Sequence, residues 1–130
     1  MADVLVTGTE GWAVGHAAQL LRDAGFTVAT CHDEGAPLFP CRGLTGDGRC
    51  PIDDGVNVVL TVRPHPLPQL TRREVGVICG LRAGLPLVVA GSTVLHPFAD
   101  HATEVVEGLD GADLAAACER AIGALKRSRS

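Results

Sequence analysis

At 130 residues the chain has room for one domain. Hydrophobic residues make up 46% of it, enough for a core, but aromatics only 3%, so that core has to be assembled from Val, Leu, Ile and Ala. A net charge of −4 argues against a general nucleic-acid binder, which carries a basic face. No apolar run reaches membrane-spanning length, and Met1–Val6 enters a strand pattern without the basic region of a secretion signal, so the expected address is cytoplasmic.

The first element is the apolar run Val4-Leu5-Val6-Thr7, which has the character of a buried parallel strand and stops at Gly8. After the loop Gly8 to Gly11, the spacing of Val14, Ala17, Ala18 and Leu21 predicts a helix over 13–24, closed by Gly25. Phe26 to Thr30 is the second expected strand. Cys31 to Gly55 then loses all periodicity and is dense in Gly and Pro, and an irregular stretch of about 25 residues inside a small domain is more often functional than not.

Val56 to Val62 gives the clearest strand signal in the chain. The prolines of Arg63-Pro64-His65-Pro66-Leu67-Pro68 bar that stretch from a helix or an inner strand. A helix is expected over 71–83, with Thr71 and Glu74 in capping-box spacing and Gly84 as its stop. Pro86 to Ala90 forms the fourth strand, Thr103 to Val106 a short edge strand, and Leu114 to Leu125 a terminal helix with Asp110 or Asp113 near its start.

Strands alternating with helices predict an α/β fold: one three-layer domain over 1–130, with a parallel sheet of four or five strands in flavodoxin-like or half-Rossmann order. Ligands of such sheets bind beyond the carboxyl ends of the strands, where the strand order reverses. The residues leaving those ends are Gly8 to Trp12, Cys31 to Asp33, Arg63 to His65 and Gly91 to Thr93.

The run Val6-Thr7-Gly8-Thr9-Glu10-Gly11-Trp12-Ala13-Val14-Gly15 resembles the nucleotide-binding opening of Rossmann-type proteins, especially the short-chain dehydrogenase and epimerase group. The resemblance covers the first 34 residues or so. It implies a nucleotide held by Gly8, Thr9, Glu10, Gly11 and Trp12 against a helix N-terminus, with Asp33 or Glu34 on a ribose. The glycines are spaced one residue wider than in that group, and Glu10 sets a negative charge inside the loop. The chain has no Tyr, so the group's Tyr-x-x-x-Lys pair is absent, and dehydrogenase or epimerase activity is not expected.

Three of the five cysteines, Cys31, Cys41 and Cys50, fall in the irregular stretch, with nine and eight residues between them. The spacing matches no standard zinc knuckle or ferredoxin run. Ordering so many backbones costs roughly 1–2 kcal/mol each, which bound metal could offset. Thiolate ligands favour zinc or an iron–sulfur cluster. A reversible disulfide, a reactive thiolate or plain small residues are the alternatives. Cys79 and Cys118 lie in helical patterns and are expected to be buried.

Arg63 and His65, on a Pro-rich loop, are candidates for anion binding or proton donation. Glu74-Val75-Gly76 followed by Gly84-x-Pro86 faintly resembles the nucleoside deoxyribosyltransferase family, whose catalytic Glu lies in a Glu-x-Gly helix; the capping box is the ordinary role for that Glu.

The leading expectation is a small metal- or iron–sulfur-binding protein of redox, sensing or accessory function. Its alternatives are a nucleotide- or nucleoside-binding enzyme working through Gly8 to Gly11, and a protein-interaction module. The terminal helix could pair with a second copy of the chain.

Overall fold

The computed structural model describes residues 3–30, 55–65, 74–91, 98–108 and 110–129, with no side-chain description at 75, 99 and 124–129. In chain order the elements are β1 (Val4–Gly8), α1 (Gly11–Asp23), β2 (Val28–Ala29), β3 (Val58–Arg63), α2 (Val75–Arg82), β4 (Leu87–Gly91), a 3-10 turn (Ala99–His101), β5 (Glu104–Val106) and α3 (Gly111–Arg129). The five strands form one sheet in the order β2-β1-β3-β4-β5, with every pairing parallel. This is the expected three-layer α/β architecture, consistent with a flavodoxin-like or half-Rossmann fold.

Side-chain alternation divides the core in two. Val4, Val6, Val58, Leu60, Val62, Val88 and Ala90 face α1 and α3, which also pack on each other. Leu5, Val59, Leu87 and Val89 face the other way, onto Val77 of α2 and Phe98. Strands buried on both faces read as unbroken apolar runs, which is why β1, β3 and β4 were plain in the sequence.

The boundaries shift where side chains take over backbone partners. β2 begins at Val28 rather than Phe26: the Phe26 amide still donates to the Leu21 carbonyl at the end of α1, and the Thr27 amide donates to the Asp3 carboxylate, although the Thr27 carbonyl already accepts from the Asp3 and Val4 amides. α3 begins at Gly111, three residues earlier than expected, because Asp110 accepts from the Ala112 amide and caps the helix. β3 runs through Arg63, which pairs in register with Gly91, so the strand ends only at Pro64.

The buried face of α2 corrects an expectation. The apolar positions Val75, Ile78 and Cys79 predict the inward stripe, yet Ile78 and Cys79 are exposed. The helix turns Gly76, Val77 and Gly80 to the sheet instead. A Cβ at Gly80 would collide with the Val59 side chain, so the glycine lets α2 approach β3 closely. Cys118, by contrast, is buried in α3 as expected. Among the described residues, no helix is long and apolar enough to cross a membrane.

Candidate functional site at the carboxyl end of the sheet

In a 2-1-3-4-5 order the chain reverses direction across the sheet between β1 and β3. β1 leads into α1 on one face of the sheet and β3 leads toward α2 on the other. In sheets of this order the connections part above such a pair of strands and form a crevice, the usual ligand position; here Thr9–Trp12 leave β1 and Pro64–His65 leave β3.

Gly8 closes β1. Thr9 and Glu10 form the turn, and Gly11 and Trp12 open α1. Gly8 has a packing reason to be glycine: a Cβ there would lie 2.6 Å from the Val62 carbonyl oxygen on β3. The Thr9 amide donates to that same oxygen at 3.2 Å, locking the start of the turn to the neighbouring strand.

Glu10 occupies the N-cap position of α1 in extended conformation, but its side chain caps nothing. Its Oε2 is sealed from solvent and has no hydrogen-bond donor among the described residues. Across the crevice His65, two residues beyond β3, brings Nε2 to 4.0 Å from that oxygen, outside hydrogen-bond range. The His65 side chain is 75% exposed and that of Glu10 41%. Trp12, in the first turn of α1, is 60% exposed.

The Glu10 carboxylate changes what the turn can hold. A helix N-terminus attracts an anion by about 0.3–1 kcal/mol at an exposed site. A second unit negative charge about 4 Å from the carboxylate is repelled by about 1 kcal/mol in water and about 4 kcal/mol at an effective dielectric of 20. Repulsion wins, so the glycine turn with Glu10 in it is a poor phosphate cradle despite its resemblance to one.

Arg63 has a different fate from His65. It is 1% exposed and forms a two-pronged pair with the fully buried Glu74 at the N-cap of α2. Nε donates to Oε2 at 2.8 Å and Nη2 to Oε1 at 2.6 Å, and the Thr61 hydroxyl donates to Oε2 at 3.2 Å. Thr7 sits beside Thr61 in the β1–β3 register, on the same side of the sheet, with its hydroxyl buried and without a hydrogen-bond partner among the described residues. Under the crevice on the α2 side there is thus a buried polar layer of Thr7, Thr61, Arg63 and Glu74.

Thr7, Thr61 and the Arg63 partnership of Glu74 were not singled out by sequence reasoning. The available signal was two threonines and an arginine at alternate positions of otherwise apolar strands. Thr71, the expected capping partner of Glu74, lies outside the described residues.

Of the other expected site residues, Cys31, Asp33, Cys41 and Cys50 lie outside the described residues. Thr30, immediately before Cys31, follows β2 at the same carboxyl edge, next to β1. Among the described residues no three His, Cys, Asp or Glu side chains are placed to hold a metal ion. His16 and His101 are exposed, on α1 and the 3-10 turn. Burial, and secondarily the Glu119 carboxylate, push the Cys118 thiol up to about 12, so it stays protonated.

No family model, curated protein or solved structure matches the chain.

Proposed function

We propose that this is a small-molecule-binding α/β protein whose ligand, of nucleoside or nucleotide type, lies over the β1–β3 switch point. One observation carries the reading. The residues leaving β1 and β3 bring Glu10 and His65 to 4.0 Å of each other at that point, with the exposed ring of Trp12 two residues along from Glu10. Trp12 supplies a face on which a planar base can stack. Glu10 and His65 supply polar groups not committed to the fold. The buried Arg63–Glu74 pair braces β3 against α2 beneath them.

Trp12 is the only tryptophan, so its fluorescence reports on the crevice directly. Titration with nucleosides and nucleotides is expected to change that emission saturably, with matching heat in calorimetry. Gly11→Glu, which adds a second carboxylate to the turn, is expected to abolish both signals while circular dichroism stays unchanged. Absence of any signal across the whole panel removes the reading.

A second reading, a metal or iron–sulfur centre on Cys31, Cys41 and Cys50, is favoured by one observation: Thr30, which precedes Cys31 in the chain, lies at the same edge of the sheet. Protein purified without air should then contain stoichiometric zinc or iron, and the triple Cys→Ser variant should lose it. Metal-free, folded protein with all three thiols freely reactive ends that reading.

A further inference from the structure

We draw no further inference here: the strongest candidate, the outer edge of the sheet at β5, where Val105 is half exposed on the face away from α3, is an unpartnered apolar surface, and nothing in the structure shows what covers it.

Discussion

Two acid–base pairs lie at the carboxyl end of this sheet, and they are built in opposite ways. Arg63 and Glu74 are sealed from water and joined by two short parallel hydrogen bonds, with Thr61 adding a third to the same carboxylate. Glu10 and His65 are partly in water, though Glu10 Oε2 itself is covered, and they stand 4.0 Å apart with no hydrogen bond between them. The first pair has all the features of a fixture: removing two charges from water is repaid only by good geometry and further hydrogen bonds. The second pair leaves both partners available to something else. On the proposed reading a ligand at this edge would rest on a rigid floor between adaptable walls, one pair serving the fold and the other recognition.

The contrast breaks most visibly at Glu74. Glu74→Ala leaves the Arg63 guanidinium buried beside an empty space, and losing one member of a buried pair costs about 3–5 kcal/mol. That is a large part of the 5–15 kcal/mol typical of a small domain, so urea unfolding should show a sharply lowered midpoint. Replacing both partners, Arg63→Met with Glu74→Leu, should recover most of the loss, since the isolated charge is what destabilises. A single variant that costs less than about 1 kcal/mol means water reaches the pair, and the fixed floor goes with it.

Sequence reasoning reached the sheet more readily than this floor. Val4–Val6, Val58–Val62 and Leu87–Ala90 are buried on both faces and show as apolar runs, and the helices between them require parallel strands. Strand order is not carried by such runs, so the switch point between β1 and β3 became visible only in three dimensions. Pro64 and a full charge both signal a surface loop, so the sequence pattern ends the strand before Arg63. Its partner is eleven residues on, beyond a segment without periodicity, and Glu74 carried a competing helix-cap signal. On α2 the misreading has one cause: the buried stripe contains Gly76 and Gly80, which no hydrophobicity pattern scores, while the apolar Ile78 faces out. Close backbone approach, unlike side-chain burial, leaves little trace in composition.

A smaller effect sharpens the same distinction between sealed and open groups. Cys118 is held at about 12 by burial, against an ordinary value of 9.0. Between those values the unfolded chain has released the thiol proton while the folded chain keeps it, so folding stability must fall as pH rises from 9 toward 12. The slope is at most about 1.4 kcal/mol per pH unit. The chain has no Tyr and only Lys126 as lysine, so beyond that lysine and the four other cysteines few groups titrate in that window. Urea midpoints measured across it should decline in the parent protein, and Cys118→Ala should remove most of the decline. An unchanged slope in the variant places the alkaline sensitivity elsewhere. In the same protein, a thiol reagent should modify the exposed Cys79 before unfolding and Cys118 only after it.

The smallest expected effect is at the open pair, and its smallness is what the site assignment requires. At 4.0 Å, with the imidazole three-quarters in water, the Glu10–His65 contact falls in the class of surface pairs contributing about 0–1 kcal/mol. His65→Ala, Glu10→Gln and the double variant should each unfold within about 0.5 kcal/mol of the parent, with a coupling energy near zero in the double-mutant cycle. Moderate salt should leave that result unchanged, because there is little attraction to screen. A coupling above about 1.5 kcal/mol would mean that the two side chains close the crevice as part of the fold. Glu10 would then hold His65 rather than wait for a ligand, and the two ion pairs at this edge would be the same kind of object after all.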